Sequence, residues 1–195
     1  AAGANASAFL WGVPASGKSH LLQAVCAEVG DQSAYVPLRE LGSSGPAVIE
    51  GLERRDVVCI DDLEIVAGDR DWELGLFCLY NDILALGGKV VFAANAAPRK
   101  TEIKLPDLAS RLTQLPGYRV DALGEAGRVE ALKLRAALRG LELPDETARY
   151  LLIHSRRDMA SLYATLDRLD DEALRAQRKL TVPFVSGVLR SNSKR

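Results

Sequence analysis

The sequence predicts an α/β protein in which a five-stranded parallel sheet is followed by a helical lid, and three observations carry that prediction. From Phe9 to about Leu123, short apolar runs alternate with stretches of helical period, an order that implies a parallel sheet with crossover helices. Runs such as Val57-Val58-Cys59-Ile60 and Val90-Val91-Phe92-Ala93 are apolar at every position, as strands covered on both faces are. After Leu123 the strand signals stop and only helical periods remain. The expected division is residues 1–123 as core and 124–195 as lid.

Taken in order, the strands fall at Phe9–Trp11, Ala34–Leu38, Asp56–Asp61, Lys89–Ala94 and Tyr118–Asp121. Core helices are expected at Lys18–Val29, Ala47–Arg54, Trp72–Leu86 and Asp107–Gln114. The third repeats its apolar face at Trp72, Leu76, Leu79, Tyr80, Ile83 and Leu84, close to the 3.6-residue period. In the lid, Glu125–Arg139 ends at Gly140, a good left-handed stop. Asp145–His154 follows Pro144, and Asp158–Arg178 carries Met159, Leu162, Tyr163, Leu166 and Leu169 on one stripe. Thr181 is placed to cap a last short helix.

Composition narrows the function. At 195 residues, 48% hydrophobic and 26% charged, the chain has ample material for a core and is not disordered. Basic and acidic residues number 25 and 26, a net charge of −1, which opposes a protein held on nucleic acid by bulk charge. No run approaches the ~18 apolar residues that span a bilayer. The start, Ala1 to Ser7, lacks the blocks of a signal peptide. Cys26, Cys59 and Cys78 form no CxxC pair and read as three buried thiols in a reducing cytosol, so a cytoplasmic location is expected.

Four stretches carry chemistry. Gly12-Val13-Pro14-Ala15-Ser16-Gly17-Lys18-Ser19 satisfies G-x-x-x-x-G-K-[ST] in full, between a strand and a helix, as the motif requires. Glycines let backbone N–H groups converge on phosphate oxygens at a helix N-terminus. The expected phosphate-binding set is Gly12, Pro14, Ala15, Ser16, Gly17, Lys18, Ser19 and His20, with Lys18 reaching the β- and γ-phosphates and the Ser19 hydroxyl holding Mg²⁺. Next, the apolar strand ending at Asp61-Asp62-Leu63-Glu64 puts carboxylates at the sheet's C-terminal edge, where ligands sit in open α/β sheets. Asp61 is expected to orient the metal shell, and Asp62 to polarise or hold an attacking water. Asn95, at the end of Lys89–Ala94, is a candidate contact for the γ-phosphate or its water, against a simple turn residue before Pro98. Arg111 stands on a short helix before the last strand. Taken alone it reads as a solvated residue; supplied across an interface, such an arginine accelerates phosphoryl transfer by ~10³–10⁵. The side chains of His20, His154 and Met159 read as packing or surface groups. Arg128, Lys133, Arg135 and Arg139, interleaved with Glu125 and Glu130, read as a solvated face in preference to a basic interaction face.

These residues resemble the AAA+ ATPases and, within them, the DnaA/Hda family, the Hda branch most closely. The resemblance rests on Leu10-Trp11-Gly12 through His20-Leu21-Leu22, Tyr35-Val36-Pro37-Leu38, Val58-Cys59-Ile60-Asp61-Asp62 and Leu105-Pro106-Asp107-Leu108-Ala109-Ser110-Arg111-Leu112. Near the end, Thr165 to Asp170 and Ala176 to Val185 add to it, so that it covers nearly all of 9–190. It implies a P-loop AAA+ core binding ADP or ATP with Mg²⁺. It also implies a regulator of replication initiation that acts with the DNA-loaded sliding clamp to stimulate ATP hydrolysis by DnaA, its partner. Arg111 falls where the family places its arginine finger. Ala160 falls where the family has a nucleotide-contacting lid arginine (sensor 2), with Arg156 or Arg157 as substitutes off the expected helical face, so weak intrinsic hydrolysis is expected. The family's clamp-binding peptide precedes the first core strand; only eight residues precede Phe9, and clamp binding is assigned to none of them. The sequence ends after the lid without an origin-reading domain, which favours the Hda branch over DnaA itself.

Two other classes remain in view. A DNA-binding initiator or helicase loader would use the same core, and the charge balance opposes it. A small-molecule P-loop kinase would carry its lid within the core rather than after the last strand. A homo-oligomer is compatible with the sequence; a membrane partner and strong direct DNA binding are not expected.

Overall fold

The computed structural model describes residues 7–155 and 159–192. The chain divides into two compact units, Ala1–Ala122 and Leu123–Arg195.

The first unit is built on five parallel strands, β1 (Ala8–Trp11), β2 (Ser33–Pro37), β3 (Val57–Asp61), β4 (Lys89–Ala94) and β5 (Gly117–Arg119). Their order across the sheet is β2-β3-β4-β1-β5. The unbroken apolar runs follow from this layering. On β3, Val58 and Ile60 enter one buried cluster while Val57 and Cys59 enter another. On β4, Val90, Phe92 and Ala94 go with the first, and Val91 and Ala93 with the second. Side chains alternate faces with period 2, so apolar residues at every position mean that both faces are covered. Helix α1 (Lys18–Val29) contributes Leu22 to one side. The other side receives α2 (Leu38–Leu41), α3 (Arg70–Ala85) and α4 (Pro106–Gln114) through Leu38, Trp72, Leu76, Ile83, Leu108 and Leu112.

Two expectations are corrected. Ala47–Arg54 is not one helix but two 3₁₀ turns, Pro46–Ile49 and Leu52–Arg54, separated by Gly51 at φ 84°. A glycine in the left-handed region cannot propagate a helix, and so short a segment has no turns to spare. The thiols are not all buried: Cys59 is, Cys26 is half-buried, and Cys78 is exposed on the outer face of α3.

Helix α3 is held by two acids. Asp69 is its N-cap, accepting from the N–H groups of Asp71 and Trp72 at 3.0 and 3.2 Å. Glu73, 1% exposed, turns its carboxylate onto three backbone amides: Gly68 at 2.7 Å, Lys104 at 3.0 Å and Leu105 at 2.6 Å. One side chain thus ties the loop before α3 to the residues that open α4, where Pro106 begins the helix carrying Arg111. An unsatisfied buried donor costs about 1–3 kcal/mol. Glu73→Gln turns one acceptor oxygen into a donor facing amide hydrogens, so unfolding stability should fall by at least about 2 kcal/mol. Urea titration checks this: the midpoint should drop with the slope unchanged.

Among the described residues the second unit has four helices, α5 (Glu125–Leu138), α6 (Asp145–His154), α7 (Met159–Ala176) and α8 (Val182–Asn192). They share their own core, with Val129, Leu132, Leu151, Leu162, Leu166, Leu169 and Val185 among its members. Gly140, at φ 74°, closes α5, with its N–H on Ala137 O and that of Leu141 on Ala136 O, both at 2.9 Å. Thr181 occupies the position before α8, and its carbonyl accepts from Val185. Cations of α5 and of its C-cap are committed within the lid: Lys133 to Asp145 at 2.7 Å, Arg135 to Asp167, and Arg139 to Asp167 and Asp170. Their partners come from α6 and α7 as well as from Glu130. His154 stacks on Tyr150, and Met159 packs against the lid core. Among the described residues no helix is long and apolar enough to cross a membrane.

Candidate nucleotide site

The loop between β1 and α1 is shaped by three backbone requirements. A Cβ on Gly12 would lie 2.1 Å from Val120 O, so no other residue fits there. Gly17, immediately before α1, sits at φ 104° in open space. Ala15 adopts φ 60°, a left-handed conformation that L-residues avoid. No side chain caps α1, which leaves the N–H groups of its first turn for an anion. Ser16 Oγ is buried in the same loop and finds no hydrogen-bond partner among the described residues. An orphaned hydroxyl beside an uncapped helix start fits a phosphate group.

Strain at Ala15 gives a direct expectation. The left-handed region costs about 1–2 kcal/mol for a residue with a Cβ, and glycine's extra unfolded-state freedom returns roughly 0.5–1 kcal/mol of that. Ala15→Gly should therefore raise the melting temperature of the protein by about 1–3 °C. An unchanged or lower value in a thermal melt would contradict this account of the loop.

Lys18 is 5% exposed and lies across the loop. Its Nζ donates to Gly12 O at 2.8 Å, Val13 O at 3.1 Å and Asn95 Oδ1 at 3.1 Å. Burial pulls its pKa below the ordinary lysine value, against the opposing pull of Glu64, Asp61 and Asp62. Asn95 follows β4, which runs between the β1 strand and the β3 strand. Its side-chain amide donates to Glu64 Oε1 and its backbone N–H to Glu64 Oε2 at 3.1 Å. Lysine, asparagine and glutamate thus form one polar chain at the C-terminal edge of the sheet.

The two aspartates point to different partners. Asp61, 1% exposed, accepts from Tyr35 Oη at 2.8 Å and from the N–H of Asp62 at 2.9 Å. Ser19 and Gln23 act on the same hydroxyl, pulling its pKa down. Burial, then the neighbouring Asp61 carboxylate, pushes the tyrosine pKa far up, so the phenol stays protonated. Ser19 and Asp61 therefore both lie near the Tyr35 hydroxyl, and the pair offers a hydroxyl and a carboxylate oxygen, the ligands a hard divalent cation takes. Among the described residues no cluster of three His, Cys, Asp or Glu forms a metal cage. Phosphate oxygens and water would complete the shell, as is usual for Mg²⁺. Asp62 sits at φ 57°, ψ 43°, and its carboxylate is gripped by Arg39 at 2.9 and 3.1 Å.

Arg111 is elsewhere. It lies in the last turn of α4, exposed, while Leu108 and Leu112 of the same helix are buried. No described residue forms an ion pair or hydrogen bond with its guanidinium. His20 is exposed at the start of α1. The side chain of Ala160 is not described, and Arg156 and Arg157 lie outside the described residues.

Tyr35, Arg39 and Glu64 are the residues that sequence reasoning passed over. Parallel pairing of β2 with β3 puts Pro37 opposite Asp61 and Tyr35 opposite Cys59, so residues at the end of β2 necessarily flank the aspartates. That register is the signal that points to them.

The fold has known counterparts. Domain III of the replication initiation protein DnaA from Thermotoga maritima matches with a TM-score of 0.72 and 18% identity, over 97% of this chain and 85% of that one. AMPPCP-bound DnaA from Aquifex aeolicus matches at 0.67 and 20% identity, over 86% of this chain and 56% of that one. The RuvB Holliday junction branch migration motor of Thermotoga maritima gives 0.67 and 19%, over 95% and 61%. The chain spans less than two thirds of the length of the latter two proteins, and likenesses at this identity establish the fold. Residues 125–189 match the family model of the Hda lid domain. The second unit thus matches the Hda lid domain, and the chain as a whole has the fold of DnaA domain III. The Hda lid match spans all of α5, α6 and α7 and most of α8, the four helices that share the separate core of the second unit. The order β2-β3-β4-β1-β5 sets the loop Gly12–Ser19, Asp61 and Asn95 on adjacent strands.

Proposed function

We propose that this protein binds an adenine nucleotide with Mg²⁺ at Gly12–His20 and, with the DNA-loaded sliding clamp, stimulates ATP hydrolysis by DnaA in trans. The observation that carries the reading is the Hda lid match over residues 125–189. Two DnaA structures of the same fold hold AMPPCP, which supports the nucleotide class. In this reading the first-turn amides of α1, Ser16 and Lys18 bind the phosphates. Ser19 and Asp61 would hold the metal, which neutralises phosphate charge. Asn95, placed by Glu64, contacts the γ-phosphate or its water. Arg111 acts on the partner's nucleotide.

The protein's own turnover should be slow. Asp62, the residue assigned to the attacking water, is held by Arg39, and Ala160 stands where the family has its lid arginine. A single-turnover assay with the chain alone should give a rate well below the ~10 s⁻¹ median of enzymes. Adding the chain to ATP-loaded DnaA, DNA and clamp should accelerate DnaA's hydrolysis. A preparation that binds ADP yet gives no acceleration overturns the regulatory role, and brisk hydrolysis alone makes the protein an ATPase in its own right.

One neighbour, a DnaA bound to AMPPCP and single-stranded DNA, favours a second reading as a DNA-binding initiator or loader. Filter binding under a salt titration separates the two, since phosphate contacts weaken steeply with salt.

A further inference from the structure

Away from the nucleotide site, α3 and the two 3₁₀ turns Pro46–Ile49 and Leu52–Arg54 enclose an open groove of about 600 Å³. Ile49 and Leu79 form its buried floor, and Pro46, Leu74 and Cys78 its walls. The groove exists because Gly75 lets α3 approach the turn: a Cβ there would stand 2.9 Å from Pro46 Cβ. Leu74 is 52% exposed and Cys78 is also exposed, so apolar surface is left open to water here.

The rim has one sign. Glu50, Glu53, Asp71 and Asp82 line the groove, and no Lys, Arg or His does. Among the described residues only Glu53 has a cation within 4 Å, Arg54 Nε at 4.0 Å, and that arginine is 86% exposed. Three further carboxylates therefore surround an apolar floor without a countercharge from the described residues. Nucleic acid and anionic lipid are repelled by such a surface. No strand edge lines the groove, so an extended peptide has no backbone partner to pair with. A helix that lays apolar side chains at i, i+3, i+4 and i+7 into the floor and presents lysines or arginines to the rim satisfies both features.

We propose that this groove docks a cationic amphipathic helix of a partner protein. The proposal is independent of what occupies Gly12–His20.

Cys78 supplies the readout, because a docked helix would cover its thiol. The probe is a synthetic 18-residue leucine–lysine peptide with helical spacing, beside an isomer of the same composition whose leucines are scrambled. Alkylation at Cys78 is followed by mass spectrometry of its tryptic peptide in the intact chain. The helical peptide should slow that alkylation at least about tenfold, with protection fading as salt rises. The scrambled isomer should not. Two variants at exposed positions, Leu74→Lys and the triple Glu50→Gln/Asp71→Asn/Asp82→Asn, should lose protection while keeping the wild-type melting transition. Equal protection by the scrambled isomer, or undiminished protection in both variants, overturns the proposal. So does protection that grows with protein concentration alone, which assigns the groove to a second copy, or protection by single-stranded DNA.

Discussion

Lys18→Ala should abolish most of the rise in melting temperature that ADP and Mg²⁺ give the wild-type protein. The ammonium is buried in a loop whose three nearest acceptors, Gly12 O, Val13 O and Asn95 Oδ1, hold it over the uncapped start of α1. A charge-assisted contact to phosphate contributes about 1.5–3 kcal/mol, which is roughly a 10- to 150-fold change in dissociation constant. At ADP a hundredfold above the wild-type constant, mass action stabilises the folded state by about 2.7 kcal/mol. A hundredfold weaker variant gains only about 0.4 kcal/mol at the same ADP. The unliganded melting temperature serves as reference, because removing the ammonium also frees three acceptors within the loop. If the variant and the wild type respond alike to ADP, the phosphate-loop assignment is wrong.

Arg111→Ala should leave ADP binding within a factor of a few and remove nearly all stimulation of DnaA. The side chain is exposed and has no partner among the described residues, and α4 is anchored by Leu108 and Leu112 on its other face, so truncation costs the fold little. An arginine that meets transition-state charge across an interface is worth ~10³–10⁵ in rate, or about 4–7 kcal/mol of barrier. The two readouts, ADP affinity of the variant and hydrolysis by clamp- and DNA-bound DnaA, must separate. Loss of both together would place Arg111 in its own nucleotide site and end the in-trans role.

Strand positions and most helix spans were legible because they are written in local pattern. The β3 and β4 runs announce two-sided burial, α1 lies between Gly17 and Gly30, and α6 begins after Pro144. The second core segment was not legible. Gly51 sits inside an apparent helical period, and only the backbone reveals that it takes φ 84° and divides the segment. At the site, residues contiguous with a motif could be read, since the motif's chemistry fixes their spacing. Tyr35 and Arg39 reach the aspartates through strand pairing across 26 and 23 residues, a relation no window along the chain contains. Glu64 stood beside the aspartates in sequence, but its partner Asn95 is 31 residues away. Glu73 was hidden for another reason: a glutamate in the first turn of a helix is ordinary, and its three amide partners lie outside that helix.

Gly12 has a meaning for genetics that its neighbours in the loop do not share. The space where its Cβ would stand is filled by the Val120 carbonyl, just beyond the end of β5, so any replacement pushes the last strand of the sheet away from the first. A strain carrying such an allele would lack the folded protein, whereas one carrying Lys18→Ala would hold a full complement of an unresponsive one. The two alleles would look alike as simple loss of function and differ in dominance. Only the second leaves a folded competitor able to occupy shared partners without acting on them.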